Sequence, residues 1–236
     1  MALESKIFMK ILAIDTSSNA CSVALLDNED IESLHKIAPI AQAQLVLPMV
    51  QELMQEAKIQ LQHLDAIAFG CGPGSFTGLR IAASVAQGLA FAAEVPLIKI
   101  SSLASIAQHV FQERNWNKLL VAVDARMQEI YYGAYEINSE GFAELKGEEK
   151  VCSANQIPLH KNQDWYGVGD AWGIYSEIME LHLGFKPLDL DITCLPHAAS
   201  IALLARNKLL KKEFCSFEDA VPVYLRNNVA VKEKDR

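Results

Sequence analysis

The sequence has few cysteines and no arrangement of them typical of a metal site or a disulfide framework. Its five cysteines are scattered, odd in number and never spaced as C-x-x-C. Such a set indicates free thiols in a reducing compartment, so we expect a cytoplasmic protein. The six histidines are equally dispersed, with no H-x-x-x-H or H-E-x-x-H pair. We therefore predict no zinc or iron site on a single helix.

Long apolar runs and excess positive charge are also missing. By run length, no apolar segment reaches the roughly 18 residues that span a membrane, so we expect no membrane contact. The stretch Met1–Lys10 lacks the apolar core of a secretory signal, and we expect the residues before Met9 to be an added leader. Autonomous nucleic-acid binders usually carry a basic face, whereas the net charge here is −8. Any contact with RNA is therefore expected to be indirect.

Glycine is scarce, but four of the 12 glycines fall in one stretch, Gly70–Arg80, with the sequence GCGPGSFTGLR. The apolar run Asp65–Phe69 before it is typical of a buried strand, and Ile81–Ala93 after it of a helix. A glycine turn at this position directs backbone N–H groups towards one point beside the positive end of a helix dipole. The turn suits a phosphate or a docked partner, although glycines needed only for backbone geometry explain it equally well. The spacing fits neither a Walker loop nor a nucleophile elbow.

The helix predicted after the glycine turn has more than one apolar face. One stripe at helical spacing consists of Ile81, Val85, Leu89 and Ala92. Small residues cover much of the rest: Ala82, Ala83, Ala86 and Ala90. Gly88 lies in mid-helix, where glycine costs about 1 kcal/mol relative to alanine. A helix that is apolar nearly all round is buried on more than one side, either inside its own domain or against another chain.

The order of predicted elements indicates the fold class. Three strands joined by short turns are followed by helix, strand, helix and strand, the half-unit of actin-like ATPase and ribonuclease-H-like folds. We therefore predict a two-lobed α/β fold with mixed sheets flanked by helices. The predicted boundaries are a first lobe at 1–102, completed by a helix at 196–214, a smaller second lobe at 103–195, and a C-terminal tail at 215–236.

The two predicted halves begin alike, with a strand, an aspartate, a turn and a return strand. Asp15 ends the first strand and Asp124 ends the corresponding strand of the second half. In actin-like folds the first of these turns faces a nucleotide, so we predict a vestigial nucleotide cleft edged by Asp15, Thr16 and Ser17. The alternative is that both aspartates only cap turns, as Asx turns commonly do.

Four blocks of this sequence resemble the TsaB family, also called YeaZ. The blocks are Ile11–Ser17, Gly72–Arg80, Asp124–Arg126 with Glu129–Tyr131, and Pro222–Arg226. The resemblance implies an actin-like fold and a role in forming N6-threonylcarbamoyladenosine in tRNA. It implies a non-catalytic scaffold that pairs with the TsaD transferase and with TsaE, forms a homodimer through the same helices when alone, and contacts tRNA only indirectly. It implies no cofactor of its own, with ATP and magnesium acting at the level of the complex.

The resemblance also implies a contact surface on the helices predicted at 42–60 and 77–93. The implied interface residues are Val46, Val50, Leu53, Gly74, Ser75, Phe76, Thr77, Gly78, Arg80, Ala82, Ala83, Ala86 and Ala90. The family often carries His-Ser-Gln before Leu-Leu-Pro in the first helix, whereas this chain has Gln42-Ala43-Gln44 before Leu45–Pro48, so the His and Ser that could make polar contacts there are missing.

Two other functions remain open at this point. Asp15, Asp124 and the glycine turns would also suit an independent ATP-hydrolysing or transferase enzyme of the same fold. A metallopeptidase is disfavoured because no histidines have metal-ligand spacing.

Overall fold

The computed structural model describes residues 9–226, so the expected leader before Met9 and the segment 227–236 lie outside the described residues. The first of its two sheets contains five strands: β1 (Lys10–Asp15), β2 (Ala20–Asp27), β3 (Asp30–Ile37), β4 (Ala66–Gly72) and β5 (Leu97–Ser101). Their order across the sheet is β3-β2-β1-β4-β5. The first three strands run antiparallel, and β4 and β5 run parallel to β1. The predicted meander followed by parallel strands is therefore confirmed.

Helices cover both faces of the first sheet, which explains why β1 is apolar on both sides. The helices of one face are α1 (Gln42–Glu56) and α2 (Phe76–Ala93). Leu12 and Ile14 of β1 pack towards them. Ile11 and Ala13 point the other way, into a cluster with the C-terminal helix at Ala198–Leu210. The helix predicted at 196–214 therefore packs on the sheet of the first lobe, although it follows the second lobe in sequence.

The second sheet is built around β6 (Lys118–Asp124) and β7 (Glu129–Ile137). Its other strands are β8 (Ala143–Leu145), β9 (Lys150–Ser153), β10 (Tyr166–Val168) and β11 (Leu190–Asp191). Helix α3 (Ser102–Arg114) covers one face and α4 (Ala171–Leu183) the other. Trp172 of α4 donates its indole N–H to the backbone oxygen of Leu120 at 2.8 Å. The C-terminal helix Ala198–Leu210, now called α5, completes the described helices.

Two elements differ from the sequence-based prediction. Helix α1 was expected to reach residue 60, but Lys58 adopts a φ of +55°, a left-handed conformation in which the helix cannot continue. Helix α4 was not predicted, because the Gly169–Asp170 turn indicated only the end of a strand. The turn in fact starts a helix whose buried residues include Trp172 and Met179.

Helix α2 meets the length and composition of a membrane span, with 18 residues and a mean hydropathy of 1.2. Mean hydropathy therefore singles out a helix that run length does not, because Arg80 interrupts its apolar run. Core helices of water-soluble domains meet the same criteria. Because seven residues of α2 are buried inside the protein, we interpret it as a packed helix of the first lobe.

Candidate functional site

The glycine stretch packs directly on the turn that follows β1. A Cβ atom at Gly78 would lie 1.8 Å from the backbone oxygen of Thr16, and one at Gly74 would lie 2.4 Å from that of Ser17. Two hydrogen bonds hold the contact: Thr16 Oγ1 donates to the oxygen of Gly78 at 2.6 Å, and the N–H of Ser75 donates to the oxygen of Ser17 at 2.7 Å. These glycines therefore allow two backbones to approach closely, which is the structural alternative left open above.

Asp15 is enclosed by the same contact. Its side chain accepts the N–H and the hydroxyl of Ser17, both at 2.9 Å, and a Cβ at Gly70 would lie 1.9 Å from its Oδ2. Burial raises the pKa of Asp15 to about 6, and the hydrogen bonds from Ser17 oppose that rise. The residue is 1% exposed and Thr16 is 0% exposed. We correct the predicted nucleotide site accordingly: Asp15 and Thr16 serve the turn itself, and only Ser17 reaches the wall of the cleft described below.

The alanine face of α2 lies on the first sheet rather than on the molecular surface. Seven predicted interface residues are buried in the core between the sheet and the two helices: Val46, Val50, Leu53, Ala82, Ala83, Ala86 and Ala90. Gly78 is buried against Thr16. These eight residues are unavailable to a partner, because the small side chains serve to bring α2 close to its own sheet. Ser75, Phe76, Thr77 and Arg80 are exposed, and Gly74 is partly so.

A second flank of α2 is covered by the chain's own C-terminal segment, residues 215–226, which we call the strap. Gln87 donates from Nε2 to the backbone oxygens of Phe217 and Ala220 at 3.1 and 3.2 Å. Arg80 donates from Nε to the hydroxyl of Tyr224 at 3.2 Å. Its guanidinium also stacks on Phe76, 3.8 Å from the ring centroid. The predicted interface residues Phe76 and Arg80 therefore already have partners within the chain.

The remaining flank of α2 faces outward, and we call it the outward strip. Ser84, Gly88 and Ala92, four residues apart, are exposed, with the half-buried Ile81 and Val85 beside them. A Cβ atom at Gly88 would meet nothing within 4 Å. The outward strip is thus small and partly apolar, and no contact within residues 9–226 accounts for its glycine. Sequence reasoning identified a second apolar face but assigned the alanines to the wrong side of the helix.

A cleft of about 630 Å³ separates the two lobes. Its wall includes the turn after β1, the start of α2, the turn after β6 and the strap. Asp124 is engaged in hydrogen bonds with residues beside it at the cleft wall. Its Oδ1 accepts the N–H of Arg126 at 3.1 Å, and its own backbone N–H donates to Asp170 Oδ1 at 2.8 Å.

Within residues 9–226 no group of three or more histidine, cysteine or acidic side chains is placed to hold a metal ion. Sequence reasoning missed the strap as part of this site, although Pro222–Arg226 is one of the four blocks that carry the family resemblance.

Comparison with known proteins identifies the relatives of this chain. The family model for TsaD, tRNA N6-adenosine threonylcarbamoyltransferase, matches residues 36–234. The tRNA threonylcarbamoyladenosine biosynthesis protein TsaB of Haemophilus influenzae is 37% identical, with 95% of this chain and 97% of that protein covered. TsaB of Escherichia coli is 36% identical, with 95% and 98% covered.

A solved structure agrees with these relatives. YeaZ from Pseudomonas aeruginosa superimposes with a TM-score of 0.87 at 42% sequence identity, over 92% of this chain and all of that one. The predicted actin-like α/β fold class is therefore confirmed. Identity above 35% over nearly the full length of two curated relatives agrees with the four sequence blocks and with the superposition. The chain belongs to the TsaB (YeaZ) family of tRNA threonylcarbamoyladenosine biosynthesis proteins.

Proposed function

We propose that this protein is the non-catalytic scaffold of the complex that forms N6-threonylcarbamoyladenosine in tRNA, pairing with the TsaD transferase through α1 and the outward strip of α2. TsaE joins that pair, and the tRNA is held mainly by the other subunits because this chain has a net charge of −8. ATP and magnesium act on the complex rather than on this chain alone. Without TsaD, two copies associate through the same helices.

The proposed pairing is supported by the family-model match. Residues 36–234 fit the model of the transferase, so this chain and TsaD are related over the segment that contains α1 and α2. Related chains can pair about a pseudo-two-fold axis, with each presenting the equivalent surface to the other. The homodimer is the symmetric version of the same arrangement.

Gly88 is the single observation that carries the proposal. Glycine in an exposed helix interior costs about 1 kcal/mol relative to alanine, and nothing in its surroundings would contact a Cβ there. With Ser84 and Ala92 it forms a small-residue surface on which a second helix backbone could lie closely. Leu47, which is 50% exposed, provides apolar area on α1. An external partner explains a glycine that the isolated chain does not need.

The test is binding of purified TsaD to Gly88→Arg, measured by titration calorimetry. The added side chain extends into solvent in the free protein, so folding should be unaffected. At the interface it would bury an unpaired charge, which costs several kcal/mol, so we expect binding to weaken at least 100-fold. In a reconstituted reaction the wild-type chain alone should form no threonylcarbamoyladenosine.

The matched control is Leu181→Arg, which adds the same charge at an 86% exposed position on α4 of the second lobe. It should bind TsaD as the wild type does. A folded Gly88→Arg protein that binds TsaD with wild-type affinity would exclude the outward strip as the interface.

An independent ATP-using enzyme is the second candidate, and the cleft of about 630 Å³ is the observation that favours it. Magnesium-dependent ATP turnover by the purified chain, abolished by substitution of an exposed residue of the cleft wall such as Asn19→Ala, would support this candidate. Burial of Asp15 and Thr16 speaks against it, because neither side chain is free to meet a nucleotide.

A further inference from the structure

Three of the four sequence blocks meet at the strap, and the proposed docking surface does not explain this. The Gly72–Arg80 block provides the start of α2, the Asp124–Tyr131 block provides the turn between β6 and β7, and Pro222–Arg226 crosses between them. The strap contacts α2 along its length and then reaches the second lobe. It is therefore the element of the chain that links the docking helix to the second sheet at this edge of the cleft.

The first anchor of the strap is a backbone contact at the end of β4. The N–H of Val223 donates to the oxygen of Cys71 at 2.7 Å. Gly72 next to it has a φ of +111°, and a Cβ there would lie 2.8 Å from the backbone oxygen of Val223. Gly72 therefore has a specific role, since only glycine combines this φ with such a close approach of the strap.

The second anchor is the guanidinium of Arg226 on the second lobe. It forms an ion pair with Glu129 at 2.6 Å and donates to the backbone oxygen of Arg126 at 3.3 Å. The Arg226 side chain is only 17% exposed, so this pair is better shielded from solvent than an ordinary surface ion pair. A charge-assisted pair with an additional backbone acceptor fixes direction as well as distance.

The turn that Arg226 holds is strained. The N–H of Glu129 donates to the oxygen of Arg126 at 3.1 Å, and the two residues between them, Met127 and Gln128, have φ values of +56° and +62°. This is a type I′ turn, which favours asparagine and glycine at these two positions. Arg126 also has a positive φ, of +63°. Strained backbone of this kind persists where surrounding contacts fix it, and Arg226 supplies such contacts.

We propose that the strap is a tether across this edge of the cleft, and that Arg226 is the positioning residue that locks the turn at 126–128. The strap ties this turn to the flank of α2 next to the outward strip. Docking on α2 and order in the turn are consequently coupled, and this second half of the inference rests on the proposed function.

The lock is tested on the full chain with Arg226→Ala, by amide hydrogen exchange. We expect exchange at residues 125–129 to become at least tenfold faster, while β2 in the first sheet is unchanged. Arg226→Lys keeps the charge but not the planar fork, so its exchange should be intermediate. Lys118→Ala is the matched control, because it removes another ion pair of the second lobe, Lys118 with Asp164 at 2.6 Å. Wild-type exchange at the turn in Arg226→Ala would overturn the lock.

The coupling is tested by repeating the exchange with TsaD bound. In the wild type we expect TsaD to slow exchange at residues 125–129 about fivefold, and in Arg226→Ala to leave it unchanged. By linkage, the open turn binds TsaD about fivefold more weakly than the ordered turn, so fivefold is the largest loss of affinity expected in this variant. TsaD binding that leaves the wild-type turn unaffected would overturn the coupling. Failure of the wild type to bind TsaD would refute the proposed function, whereas the lock is judged on the isolated chain.

Discussion

The turns after β1 and β6 share a sequence pattern and differ in almost everything else. Each follows a strand that ends in aspartate, and each leads into an antiparallel return strand. The first turn is buried under the glycine stretch, with Asp15 only 1% exposed. The second is open to solvent, with Met127 77% exposed and an ion pair to the strap in place of a buried contact.

The difference shows that the burial of a turn depends on the element packed on it, because the two turns share the same sequence pattern. Gly74 and Gly78 let a helix start approach the first turn so closely that no side chain could be inserted. The second turn has no such cover and is held from the side by Arg226. The first turn therefore contributes to the core of its lobe, and the second can change without unfolding the lobe.

Gly78→Ala should show most strongly that the first turn, unlike the second, is tightly packed. Its Cβ would lie 1.8 Å from the backbone oxygen of Thr16, and backbone cannot move aside as a side chain can. We expect the free energy of unfolding to fall by about 4 kcal/mol, at the upper end for overpacking. Urea denaturation followed by circular dichroism measures the change.

Gly88→Ala is the control on the same helix. It adds the same methyl group where nothing lies within 4 Å, so the free energy of unfolding should rise by about 1 kcal/mol. Equal effects of the two substitutions would show that helix propensity matters more at Gly78 than contact with the first turn.

Asp15→Asn should reveal the burial of the first turn through the pH dependence of the free energy of unfolding. Burial raises the pKa of Asp15 from 3.8 to about 6, so at pH 8 the folded protein holds an unfavourable charge. The folded state binds the proton more tightly than the unfolded state, so this cost disappears as the pH falls through 6 towards 4. Relative to the asparagine variant, the free energy of unfolding of the wild type should rise by about 2 kcal/mol as the pH falls from 8 to 4.5.

Taking the difference between the wild type and Asp15→Asn cancels the contributions of other titrating groups to the pH dependence. The stacked rings of His35, His109 and His197 have lowered pKa values because burial disfavours their charged forms, and His197 reaches about 3. These histidines cost stability as the pH falls, opposite to Asp15, but they do so in both proteins. A constant difference between wild type and Asp15→Asn across this pH range would show that Asp15 is not buried as described.

Much of the fold could be predicted from the sequence because its signals are local. Apolar runs joined by short turns identified the meander of β1, β2 and β3, and the similar run that ends in Asp124 identified β6. Helix α4 was missed because a glycine-aspartate turn resembles a strand end as much as a helix start.

The site was harder to predict because it depends on contacts between distant residues. The alanines of α2 and its outward strip are both apolar, and periodicity alone does not tell which of them faces the sheet. The strap contacts α2 across more than 130 positions of sequence, as in the bond between Gln87 and Ala220. Nothing local in Pro222–Arg226 predicts that pairing.

Replacing Met127 and Gln128 by Asn-Gly should relieve the strain of the second turn. Both residues have positive φ values, which asparagine and glycine tolerate and long side chains do not. We expect the free energy of unfolding to rise by about 1 to 2 kcal/mol, measured by urea denaturation. The double substitution Ser18→Asn, Asn19→Gly is the control in the first turn, where neither residue has a positive φ, and it should not stabilise. Destabilisation by Asn-Gly at 127–128 would mean that the turn is not type I′.

Asp124→Asn should have the smallest effect, although it repeats the substitution at Asp15. The asparagine oxygen can still accept the N–H of Arg126, and the lost ion pair, at 3.3 Å, joins the 10% exposed Asp124 side chain to an arginine side chain that is 84% exposed and so screened by solvent. Exposed pairs contribute little, so we expect the free energy of unfolding to change by less than about 0.5 kcal/mol in urea denaturation at pH 7. A loss of more than about 2 kcal/mol would mean that Asp124 is held as firmly as a buried group. The two turns would then differ only in shape. Loss of the strap contacts would not be expected to loosen the second turn.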